Sequence, residues 1–380
     1  MAKEFMPINP DVLKWARERS GLSVEDATKK FAKFQSWEAG ELSPTYSQLE
    51  QLSDTLKLPI AAFFFPTRPN LPDIEKTFRS LPSAELSKLS AKVRLMLRKA
   101  KAMQLNLADL YSGRNPAAKN IVQSLEFRGR VPISRIAADT RDFLGITLEK
   151  QFYWKDADEA LLAWRVALQK AGVSVFKDAF RDTEISGFCL YDPEFPVIYV
   201  NNTTTKTRQI FTLAHELGHL LFRSSGIDWI NSRYSVSILG ADRDIEVACN
   251  QFAAELLVPD QMFASMVSKQ TADLNKAVEL ATKFHVSREV IYRKFLDRGW
   301  ISSQQYETQT KLWNAQGKKK APPGGDPYWT KLSYLGRDYV SAVLNSYHQN
   351  RIDEIRASDF LETKPKHLAK LEEYYLKGAA

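Results

Sequence analysis

The chain has 380 residues, more than one hydrophobic core usually organises, so two or three packed units are expected. Its mean hydropathy is −0.34 and its longest apolar run, Ile60 to Phe65, is six residues; this excludes a helical membrane span, and the start lacks an apolar signal core, so the expected location is cytoplasmic. A hydrophobic content of 44% excludes general disorder, two cysteines sixty residues apart exclude a disulfide framework or a cysteine zinc site, and a net charge of +8 permits a nucleic-acid partner.

Residues 1–69 read as a compact helical unit. Val12, Leu13, Trp15 and Ala16 mark a first helix ending near Gly21, Ser23 is a good N-cap for VEDATKKF, Gly40 closes a turn, and Ser43-Pro44 opens a helix carrying Leu49, Leu52 and Leu56. The run Ile60–Phe65 should dock beneath these helices, and prolines in TRPNLPD mark a linker. Residues 70–126 form a basic helical connector: Lys88, Lys92, Arg94, Arg98, Lys99 and Lys101 are interrupted by no acid. Residues 127–303 have a mixed pattern, with a helix over 156–171, short strands at Val173–Phe176, Ile185–Tyr191 and Val197–Val200, and helices near 205–222, 242–257, 271–284 and 287–298. Residues 304–380 follow as a mainly helical region, with a linker at Lys318-Lys319-Lys320 and the Pro-Gly residues after it. The positive charge is uneven: 1–69 and 127–303 are net neutral, whereas 70–126 carry +5 and 304–380 carry +3.

The chemistry concentrates in TRQIFTLAHELGHLLF. Helical spacing of its apolar residues puts His215 and His219 one turn apart on one face, where two imidazoles reach one ion. Neutral imidazole suits zinc, and Glu216, beside the first ligand, is placed to take a proton from water and pass it to a leaving amine. The third ligand should come from ADRDIEVACNQFAAELLVP, where Glu246 flanks the apolar stripe Ile245, Cys249, Phe252 and Leu256. Asn250, one turn on, is a candidate to orient that ligand, and the competing partner for Glu246 is a cation such as Arg208 or Arg243. His285 is assigned a structural role, and no side chain is assigned to stabilise an oxyanion.

VIYVNN, RQIFTLAHELGHLLF and EVACNQFAAELLVP together resemble the ImmA/IrrE-type zinc metallopeptidases of bacteria and their mobile elements. The resemblance implies an α+β fold with a zincin-like core of helices packed on a small sheet. It also implies zinc held by His215, His219 and Glu246, with Glu216 as general base. Cys249 stands where that family usually has alanine. The strand Val197–Val200 is expected to offer its edge to the substrate backbone. Residues 10–65 resemble an Xre-type helix-turn-helix domain, but only nine residues separate Ala27 from Trp37, too few for a usual turn and recognition helix. The expected function is therefore a zinc endopeptidase cleaving a cytosolic regulatory protein, such as a repressor, in stress or mobile-element control. The alternative is a DNA-binding regulator or antitoxin-like protein that uses the peptidase fold to bind a partner. The expected partners are a protein substrate and, less directly, DNA.

Overall fold

The computed structural model describes residues 4–56, 58–70, 89–125, 127, 131–180, 182, 184–229, 241–316 and 325–378. Leu71, Pro72 and Asp73 of the expected proline linker, Lys88, Lys318–Lys320 and the side chain of Arg243 lie outside the described residues. Packing divides the chain into Met1–Thr77 with Pro82–Lys99, and Phe78–Leu81 with Ala100–Ala380. In this division the expected connector 70–126 falls to both units and the tail 304–380 to the second.

The first unit begins with α1 (Pro10–Ser20), entered through Asn9 and Pro10 and stopped at Gly21, whose φ of 73° suits glycine. Ser23 caps α2 (Val24–Lys30) by accepting the Asp26 amide. The next helix, α3 (Phe34–Glu38), has only five residues, and Phe34 and Trp37 point inward. α4 (Tyr46–Leu56) is entered from Thr45 rather than Ser43-Pro44, because Thr45 and Gln48 cap one another through side chain and backbone. A 3₁₀ turn at Ile60–Phe64 puts Phe63 into the core, with Leu13, Trp37 and Leu52. Arg17 grips Glu38 through two nitrogens, at 2.8 and 3.0 Å, and so ties α1 to α3. The basic run is not wholly a solvated face: burial, then Arg19 and Arg94, bring the Arg98 guanidinium down to about 10.

The second unit takes in α5 (Ala91–Leu110) from Ala100 on, then α6 (Ile121–Ser124), α7 (Ile133–Leu144), α8 (Leu148–Tyr153) and α9 (Ala157–Lys170). Strands β1 (Ser174–Asp178), β2 (Ile185–Leu190) and β3 (Val197–Asn201) lead to α10 (Lys206–Leu221), β4 (Ile227–Trp229) and α11 (Ala241–Leu257). α12 (Asp260–Met266), α13 (Leu274–Phe284), α14 (Arg288–Asp297) and α15 (Ser303–Gln316) follow, and α16 (Pro327–Leu335), α17 (Arg337–His348), α18 (Glu354–Phe360) and α19 (Leu368–Lys377) complete it. The architecture is α+β, as the sequence implied.

The four strands lie in the order β1-β3-β2-β4, with β1 parallel to β3 and the other pairs antiparallel. This corrects the expectation for Val197–Val200: β3 is an interior strand, hydrogen-bonded on both sides, and among the described residues the edges are β1 and β4. Alternation along the strands sends Val175, Cys189, Ile198 and Val200 into the core shared with α9, α10 and α11. Phe176, Phe188 and Tyr199 face the other way: Phe188 stacks on Tyr199, Phe180 packs tilted against both, and Phe176 packs tilted against Tyr199; Tyr339 of α17 meets Phe176 edge-on at 5.2 Å. Arg165 of α9 donates to the carbonyls of Val175, Ser333 and Tyr334, fastening the end of α16 to the sheet. Among the described residues, no helix is long and apolar enough to cross a membrane.

Candidate metal centre

Thr205 caps α10 by accepting the Arg208 amide, and Ile210, Leu213, Leu217 and Leu220 bury its apolar faces. His215, Glu216 and His219 are carried into the same interior, each 2% exposed or less. The two Nε2 atoms lie 3.2 Å apart. From α11, the Glu246 carboxylate comes to 3.4 Å from His215 Nε2 and 3.1 Å from His219 Nε2. One ligand atom from each residue thus falls within 4.8 Å of the others, and no other such group of His, Cys, Asp or Glu occurs among the described residues.

Gly218 makes this approach feasible. A β-carbon there would lie 3.3 Å from the Cα and Sγ of Cys249 and 3.1 Å from the Phe252 ring. The helices therefore pack backbone to backbone beside the point where Glu246 meets the histidines.

Two imidazole nitrogens and a carboxylate facing one another in an apolar interior suit a shared cation better than a shared proton. Burial disfavours the Glu246 charge, but hydrogen bonds from His215 and His219 hold its carboxyl well below the usual range. Burial likewise opposes protonation of His215, but Glu246 and Asp228 together more than offset it, raising the imidazole. Burial pushes Glu216 up to about 8; His219 opposes this, while Asp228 and Glu246 add to it. Three N/O donors of this kind match the protein ligand set that a catalytic zinc takes.

Surrounding residues fix the helix. Arg208 donates from Nη2 to Asp228 Oδ1 at 2.7 Å and from Nε to Ser186 at 2.8 Å, and Thr212 donates to Asp228 Oδ2 at 2.8 Å. Metal helix, edge strand and β2 are joined there. Arg208 is accordingly Asp228's partner in the structure, and the ion pair weighed for it with Glu246 is not seen. Asn250 is also corrected: it is exposed and its amide donates to the Glu246 backbone carbonyl at 3.0 Å, so it does not hold the carboxylate. His285 lies away from the centre, ending α13 at a φ of 56° and packing near Trp154.

Sequence reasoning passed over Asp228, Thr212, Ser186 and Ser224. One signal was available: Arg208, Thr212, His215 and His219 form a polar stripe along an otherwise apolar helix.

A buried helix bearing His-Glu-x-x-His, completed by a glutamate from a second helix and backed by a small mixed sheet, is the kind of arrangement that metallopeptidase centres are built on. Residues 168–296 match the family described as IrrE N-terminal-like domain, so this part of the chain is similar to the ImmA/IrrE-type metallopeptidases. It is similar to the "Radiation response metalloprotease IrrE" of Deinococcus radiodurans, 36% identical over 99 residues, which cover 26% of this chain and 30% of the relative. The protein of the same description from Deinococcus deserti is 33% identical over 99 residues, 26% of this chain and 34% of the relative. An "Uncharacterized immunity region protein 2" of Bacillus phage phi105 is 35% identical over 78 residues, 20% of this chain and 47% of the relative. The chain therefore spans about a third of the length of the two metalloproteases it matches.

Proposed function

We propose that this protein is a zinc-dependent endopeptidase that cleaves a regulatory protein, such as a transcriptional repressor, in stress response or mobile-element control. The convergence of His215, His219 and Glu246 beside the buried Glu216 carries this reading. The stress and immunity contexts are suggested by the names of the similar proteins.

His215, His219 and Glu246 would hold the metal, which when bound would supply Lewis acidity for peptide hydrolysis. Glu216 accepts the proton of the attacking water and delivers it to the departing amine. The substrate backbone aligns along the edge of β4, which among the described residues pairs with β2 alone. The N-terminal unit serves protein contacts rather than base reading, a view supported by the five residues of α3 and its two inward aromatics. A band-shift series at low salt checks that part, with no shift expected.

The main test pairs metal analysis with cleavage of a candidate repressor, chosen as a small transcriptional regulator encoded next to this gene if the genome carries one. Wild type should hold one zinc per chain and cut the repressor. Glu216→Gln should keep the zinc and cut at least ~100-fold more slowly. Absence of stoichiometric metal, or equal cleavage by the variant, overturns the proposal.

A further inference from the structure

The segment that leaves α10 folds back over one of the two histidines. Arg223 takes a left-handed φ of 59°, the Ser224 amide donates to the His219 carbonyl at 2.9 Å, and the chain runs through Gly226 into β4. This is the helix-ending turn in which an amide reaches back five residues to an otherwise orphaned carbonyl. Here it also carries a hydroxyl onto the imidazole. Ser224 Oγ lies 3.2 Å from His219 Nδ1 and 3.2 Å from the His219 carbonyl oxygen.

The proton count is definite once Nε2 is assigned to the metal. His219 Nε2 faces His215 Nε2 and Glu246, so its lone pair must stay free and the ring proton must sit on Nδ1. Nδ1–H donates to Ser224 Oγ, and the Ser224 O–H donates to the carbonyl. Gly226 packs against the same ring: a β-carbon there would lie 2.5–2.6 Å from His219 Cδ2, Cγ and Nε2, so no side chain fits between the chain and the imidazole. By contrast, Nδ1 of His215 is buried with no hydrogen-bond partner.

We infer that Ser224 is the positioning residue of this centre, fixing the tautomer and ring orientation of His219, and that His215 receives no equivalent support. This rests on the metal-site reading above and extends it from the ligands to the turn that follows them. Groups of this kind typically contribute 10- to 100-fold in metal affinity.

The experiment compares full-length wild type, Ser224→Thr and Ser224→Val, two replacements of nearly equal shape of which only threonine keeps the hydroxyl. Zinc affinity is read by competition with a chromophoric chelator, and the metal-free unfolding midpoint is measured beside it. Ser224→Thr should bind zinc within about threefold of wild type, and Ser224→Val about 10- to 100-fold more weakly. The two metal-free midpoints should agree. Equal zinc affinity for the two variants overturns the inference, as does a Val defect that appears equally in metal-free stability. If wild type itself takes up no zinc, the reading of the centre fails instead, so the two failures are separable.

Discussion

A lysine far from the metal ligands makes the clearest pH prediction in the molecule. Lys177 on β1 is only 8% exposed. Burial, with Arg165 and Lys206 nearby, brings its ammonium down to about 7; Asp158, itself bridged to Lys206 at 3.0 Å, opposes the shift. Between pH 7 and about 10.5 the unfolded chain keeps a proton that the folded chain has lost, so stability should rise with pH through that window and be lowest below it. The full difference is on the order of 5 kcal/mol. Urea midpoints at pH 6.5 and 9.5 read it directly: wild type should be more stable at the higher pH, and Lys177→Met should flatten the dependence while gaining stability at pH 6.5. Glu216, raised to about 8, opposes this trend below that pH, so the comparison of the two proteins decides: a Lys177→Met variant as pH-dependent as wild type would contradict the assignment.

At the scale of elements, the site depends on how closely α10 approaches its neighbours. Gly218→Val adds three carbons, the first of them only 3.1–3.3 Å from Phe252 and Cys249, so α11 must withdraw and take Glu246 with it. The variant should lose zinc binding and about 2 kcal/mol of stability, measured by metal content and urea titration. Asp228→Ala removes the acceptor that Arg208 and Thr212 share between α10 and β4; roughly 3 kcal/mol should be lost in the same titration. Both histidines were legible because α10 declares its period through seven apolar residues, and Glu246 because it flanks the apolar stripe of α11 and falls in a recognisable segment. The support for His219 was not legible. It depends on Arg223 adopting a left-handed φ, which no local residue preference announces, and β4 is a three-residue strand too short to show alternation.

For the whole molecule, the sequence divided the chain where composition changes, whereas packing follows surfaces that need cover. The alternation in VIYV places Tyr199 opposite Ile198 and Val200, but nothing local says that a helix some 140 residues later covers that ring layer. Tyr339 fills this role, and its hydroxyl also donates to the Phe360 carbonyl at 3.1 Å and accepts from Asn106 at 3.1 Å. Tyr339→Ala should cost about 3–4 kcal/mol, seen as a lowered urea midpoint. A fragment of residues 127–303 should bind the dye ANS and aggregate, whereas the full chain stays dispersed; a well-behaved fragment with a native melting transition would show the cover to be dispensable. The same cover sets an order of events during synthesis. When Tyr199 leaves the ribosome, the residue that will shield it has yet to be made, and at 5–20 residues per second the wait is roughly 7 to 28 seconds. Throughout that interval the nascent sheet shows an aromatic face to solvent, which slow strand pairing or a chaperone's hold would protect until residues 304–380 arrive.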